Sequence, residues 1–164
     1  MKNLFYALLV VMLFSSMKIY SKDQSPWAVS VGLGSNGSTQ KNVNSRMNIG
    51  MDLNYQYNND VSFFVNGSYN PLQTVNEEND YYCITALGGF RYMVTPNIFT
   101  EFGFSMNEFE NSANINAGVS AGLGGYTNIG SNIIIGARGT YNTIFLNTNT
   151  NNLYSCNIFT GYNF

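Results

Sequence analysis

The sequence has no histidine, only two cysteines, and so few charges that Lys, Arg, Asp and Glu make up 10% of its 164 residues. Each scarcity excludes something. Without His, a serine nucleophile would need a Lys or another base beside it, and Lys22 and Lys41 lie outside every segment with strand character. Enzymatic activity is not expected, and neither is a cofactor. Seven basic against nine acidic residues leave no basic patch for nucleic acid. Beyond about residue 14 no apolar run approaches the roughly 20 residues of a membrane helix.

What is present begins with Lys2, an apolar run from Leu4 to about Phe14, and then small or polar residues up to Ser21. This is the layout of a secretory signal. Residues 1–21 are therefore expected to be a cleaved signal peptide, with Ser16 as a rival end point. Residues 22–164 would form a single domain. Cys83 and Cys156 are too far downstream to carry a lipid anchor. Removing Lys2 and Lys18 leaves five basic and nine acidic residues, a formal charge of −4. Aromatic residues reach 15%, and the charged fraction is well below the typical quarter of a soluble domain. Membrane strands reconcile these facts, because they need apolar residues only at alternate positions.

Alternation with period two recurs in eight segments. In the last, Tyr154, Cys156, Ile158, Thr160, Tyr162 and Phe164 share one face, opposite Ser155, Asn157, Phe159, Gly161 and Asn163. In the second, Met47, Ile49, Met51, Leu53, Tyr55 and Tyr57 oppose Asn48, Gly50, Asp52, Asn54 and Gln56. The others run from about Trp27 to Gly34, Val61 to Asn70, Tyr82 to Val94, Ile98 to Met106, Asn114 to Tyr126 and Asn132 to Thr143. Tight turns are expected at 58–60, 95–97 and 128–131, alternating with longer loops at 35–45, 71–80, 107–113 and 146–152. The expected fold is all-β: an eight-stranded antiparallel up-and-down transmembrane barrel with its long loops outside the cell. A soluble secreted barrel of the lipocalin kind alternates too, with its apolar face inward. The polar face here carries Gly, Ser and Asn with four charges, which suits a narrow polar interior.

Those charges are Asp52, Arg91, Glu101 and Arg138. Arg91 and Glu101 lie five residues either side of Pro96, so a hairpin centred there sets them opposite each other. An unpaired charge in a lumen is costly, so Asp52 and Arg138 are expected to join the pair. Such a network reads either as a gate on an ion path or as an internal plug. An eight-stranded barrel is just wide enough to be filled by side chains, which favours the plug.

Three other features carry weaker signals. Gly32-Leu33-Gly34-Ser35-Asn36-Gly37 has dinucleotide-motif spacing, but no helix-forming stretch follows to bind a pyrophosphate, so a strand running out into a loop is expected. Glu77, Glu78, Asp80, Glu108 and Glu110 fall in two proposed loops without the spacing of a calcium loop. They read as solvated loop charge, and no metal site is assigned. Cys83 and Cys156 are expected on distant strands, too far apart for the roughly 7 Å limit of a disulfide.

Eight alternating strands, short and long connections in turn, and the ending Tyr162-Asn163-Phe164 resemble the small outer-membrane barrels of the OmpA and OmpX type. The resemblance implies that Ile158, Thr160, Tyr162 and Phe164 form the C-terminal signal read by the barrel assembly machinery. Other expected partners are outer-membrane lipid and host or cell-surface ligands met by the loops, with no nucleic acid. The expected role is structural or adhesin-like; the alternative is a narrow passive channel for small solutes.

Overall fold

The computed structural model describes residues 26–39, 43–74, 80–110, 112, 114–146 and 150–164. The expected signal peptide, Lys22, Lys41, Glu77 and Glu78 lie outside the described residues, as does the side chain of Asp80. Eight long strands make the molecule: β1 Trp27–Ser38, β2 Arg46–Gln56, β3 Val61–Thr74, β4 Asp80–Thr95, β5 Ile98–Phe109, β6 Ile115–Ile129, β7 Ile133–Phe145 and β8 Thr150–Asn163. Each is antiparallel to the next, and β8 returns to pair with β1 from Ala28↔Asn163 to Ser38↔Leu153. Closure leaves the sheet without an edge, so every strand finds hydrogen-bond partners on both sides. A two-residue segment, Val43–Asn44, adds to the loop end of β3 opposite Gln73 and Thr74.

Most strands outrun their apolar alternation, which corrects the sequence expectation. β3 reaches Thr74 and β4 begins at Asp80, so the pair continues to Gln73↔Asp80 within what read as loop. β5 and β6 likewise extend to Phe109 and Ile129, and β8 starts at Thr150. Backbone groups pair whether or not the side chains alternate, so the ladder continues after the apolar pattern stops. The glycine-rich stretch 32–37 lies wholly inside β1, with Asn36, Gly37 and Ser38 still paired to β8.

The turns opposite the loops use local chemistry. The Asn58 side-chain Oδ1 accepts the N–H groups of Asp60 and Val61 at 2.9 and 2.8 Å, and the Thr95 hydroxyl oxygen accepts those of Asn97 and Ile98 at 3.3 and 3.1 Å. Asn128 and Ile129 remain in β6, and the chain reverses at Gly130, whose φ of 72° favours glycine.

Register fixes the tilt. From Trp27 the Cα partners run through Tyr55, Phe63, Phe90, Phe102, Ala121, Tyr141 and Tyr154 to Gly37, ten residues further along β1 than the start. Such a stagger in eight strands corresponds to a strand tilt of about 40°. The same lap is an almost unbroken aromatic stripe winding up the outer wall, with Trp27 and Tyr55 rings 4.8 Å apart and Phe90 and Phe102 5.9 Å apart. Offset ring pairs of this kind add to the stability of adjacent strands.

Alternation then sorts the residues. Met51, Ile158 and Tyr162 are 48%, 70% and 48% exposed and project from the barrel, which rules out an apolar face turned inward. Asp52, Asn66, Arg91, Glu101, Asn107 and Asn157 point the other way and are buried.

Candidate functional site

In the lumen charged, polar and apolar side chains converge, and they do so in layers. Nearest the short turns, Phe64, Phe99 and Ile134 are buried, with Met93 beside them in exposure. Next come the four charges. Arg91 donates from Nε to Glu101 Oε2 at 2.9 Å and reaches Asp52 Oδ2 from Nη2 at 2.8 Å. Arg138 Nη1 lies 3.2 Å from Asp52 Oδ1 and 3.7 Å from Glu101 Oε2. Every cation meets both carboxylates, so two positive and two negative groups form a neutral ring across the lumen. Ion pairs out of water attract strongly, but each ion has first lost its hydration. Mutual pairing of the four groups offsets that cost, although Glu101 Oε1 and Arg138 Nε have no hydrogen-bond partner among the described residues.

Local structure explains each placement. Arg91 and Glu101 are Cα partners on β4 and β5. Glu101 in turn faces Gly122 on β6, where an added Cβ would stand 2.8 Å from its Cγ, so the missing side chain makes room for the carboxylate. The Arg91 guanidinium rests on the rings of Phe64 and Phe99, 4.6 and 4.9 Å from their centroids, a buried cation–π arrangement. The apolar layer therefore also supports the charge ring.

On the loop side of the charges lies a belt of neutral side chains. Asn48 donates to Asn70 Oδ1 at 3.3 Å, Asn70 to Thr85 Oγ1 at 3.3 Å, and Thr85 to Asn107 Oδ1 at 2.9 Å. Asn107 donates to Ser105 Oγ at 2.8 Å, and Ser105 to Asn142 Oδ1 at 2.8 Å. A shorter arc joins Thr140, Ser155 and Asn157. Closing the loop end, Leu72, Cys83, Ile144 and Leu153 form an apolar cluster with Val43, Tyr81, Phe109 and Leu146 packed against it.

The four sequence-predicted charges are thus brought together, while Ile158, Thr160, Tyr162 and Phe164 stand exposed on the outer face of the barrel. Cys83 is buried in the loop-end cluster and Cys156 is exposed on the outside, and both thiols are free. Glu108 and Glu110 lie at the loop end of β5, and among the described residues no three His, Cys, Asp or Glu side chains gather as a metal site. Sequence reasoning missed both apolar layers. Leu72, Ile144 and Leu153 occupy inward positions, and continuing each strand's alternation one or two residues past its apolar segment would have found Leu72 and Ile144.

A closed barrel, apolar outside and filled inside, is the architecture of small eight-stranded outer-membrane proteins. Comparison with solved structures gives the same answer. OprG from Pseudomonas aeruginosa aligns over 86% of this chain and 97% of its own at 11% identity and a TM-score of 0.62. Neisserial surface protein A aligns over 87% and 100% at 15% identity and a TM-score of 0.63. Ail, the attachment invasion locus protein of Yersinia pestis, aligns over 87% and 100% at 16% identity and a TM-score of 0.54. At these identities the likeness is one of fold. No protein-family model matches the chain, and no curated protein does.

Proposed function

We propose that this chain is a bacterial outer-membrane protein, a rigid barrel that presents its loop end to molecules outside the cell in a structural or adhesin-like role. The outer face carries the reading. From the short turns up to Tyr69, Ile84 and Met106 the outward positions are mostly apolar, with threonines such as Thr160 and glycines among them, and carry no charge, a surface suited to lipid. Residues 1–21 would direct export, and the outward Ile158, Thr160, Tyr162 and Phe164 would be read by the assembly machinery during insertion. Binding belongs at the loops because they stand on a scaffold whose own interior is occupied.

The filled lumen favours this role over passive transport. A solute would have to displace the charge ring and both apolar layers. Planar-bilayer recording of the refolded chain tests the choice: no steady conductance is expected. Steady openings altered by Arg91→Gln or Glu101→Gln would establish a channel instead. Loop exchange on cells then tests the adhesive role, which predicts that binding to host surfaces follows the loops and not the barrel.

A further inference from the structure

The neutral belt is interrupted between its two arcs, once on β7 between Asn142 and Thr140 and once across β1. Its long arc starts at Asn48 on β2 and its short arc ends at Asn157 on β8, and between them β1 contributes Gly32 and Gly34, which have no side chains. Gly34 is the Cα partner of both Asn48 and Asn157, so the two amides face each other across it. At this gap the Oδ1 atoms of Asn36, Asn48 and Asn157 are buried without a protein partner among the described residues. The three residues are 1%, 4% and 8% exposed. The Asn36 amide is oriented by its other end, since Nδ2 donates to the Pro71 carbonyl, while Nδ2 of Asn48 and Asn157 donates to Asn70 Oδ1 and Ser155 Oγ. In this arrangement the three unpartnered atoms are acceptors. Buried polar atoms without partners are rare in folded proteins, because each forfeits its hydration for nothing.

Space lies beside them. A cavity with about 50 Å³ open to water centres is lined by these three asparagines, Gly32, Gly50 and Arg138. A second, of about 10 Å³, adjoins the charge ring between Asp52, Arg91 and Arg138. Two further orphans stand at that ring: Glu101 Oε1, which needs a donor, and Arg138 Nε, which needs an acceptor.

We propose that this gap is a built water site, in which a short file of ordered waters closes the asparagine belt across β1 and links it to the charge ring. At roughly 10–15 Å³ per water the larger cavity holds about four and the smaller about one. The chemistry selects water. An organic solute exceeds the volume. A metal cation would satisfy the amide oxygens, but it cannot accept from Arg138 Nε, and the neighbouring ring of two Arg and two carboxylates supplies no net negative charge to hold it. Water donates to the three amide oxygens and accepts from Arg138 Nε, all of which line the cavities.

A crystal structure of the refolded full chain, at a resolution that shows ordered solvent, tests the site. Waters within hydrogen-bond distance of the three Oδ1 atoms and of Arg138 Nε are expected. A dry cavity overturns the proposal, and so does density that rubidium replaces on soaking. A solution test uses Gly32→Ser, since a Cβ at Gly32 meets its nearest neighbours at 3.4 Å and adds a hydroxyl where a water would be. Oxygen-17 relaxation dispersion of the folded protein should then count about one long-lived water fewer than in the parent. An unchanged count in a folded variant overturns the assignment.

Discussion

The two faces of the same eight strands meet opposite demands, and they meet them differently. Outside, neighbouring residues need only be apolar. The stripe from Trp27 through Phe63 and Phe102 to Tyr154 mixes Trp, Tyr, Phe and one Ala. Inside, each group depends on a particular partner: Arg91 on Asp52 and Glu101, Asn107 on Ser105, Thr85 and Asn142. The outer face is specified by composition and the inner face by pairing. Substitutions within the apolar class should therefore be absorbed outside, and even near-isosteric changes should be felt inside.

The largest effect expected to expose this contrast is Arg91→Leu. It strips Asp52 and Glu101 of a shared cation and leaves buried charge uncompensated, a loss of about 3–5 kcal/mol in denaturant unfolding from lipid vesicles. Adding Glu101→Leu should cost less than the sum of the two single changes, because the orphaned carboxylate goes with it. Additive losses would deny the ring its mutual character. The outer face breaks when its one rule is violated: Ile158→Arg, midway between Tyr154 and Tyr162, should destabilise the inserted barrel by about 2–4 kcal/mol in vesicles, whereas Ile158→Leu should be neutral. Smaller is Asn107→Ala, which removes one amide from the belt and strands its neighbours, at about 1–3 kcal/mol in the same assay. The smallest test does not touch stability. A lipid-soluble maleimide should label Cys156 and spare Cys83 until the barrel unfolds, because the first faces outward and the second is enclosed by Leu72, Ile144 and Leu153. Equal labelling rates in the folded state would contradict the assignment of faces.

The same contrast explains what could be read from the sequence. The outer face is periodic along each strand, so the strand count, the outward residues and the short turns are visible one segment at a time. The inner face is specified between strands. The opposition of Arg91 and Glu101 could be read because both lie on one hairpin. The turn itself is Pro96-Asn97, and a register shift between Met93 and Thr95 restores the pairing that a turn centred on Pro96 would give. The contacts from Arg138 to Asp52 run between β7 and β2 across the lumen, and they depend on the stagger of the whole barrel, which no single segment encodes. The apolar layers were hidden for different reasons: Leu72 lies where the sequence resembles loop, whereas Phe64, Phe99 and Ile134 stand inside the expected strands on the face that reads as polar.

The ten-residue lap from Trp27 to Gly37 also acts as a check on assembly. A slip of one residue in any of the eight pairings would turn one strand's apolar positions inward, and it would also leave β8 out of step with β1. Closing the cylinder then requires an equal and opposite slip elsewhere. Register errors are thus conserved around the circumference instead of staying where they arise. Only a chain with every pairing right, or with two faults that cancel, can make its last hydrogen bonds from β8 to β1.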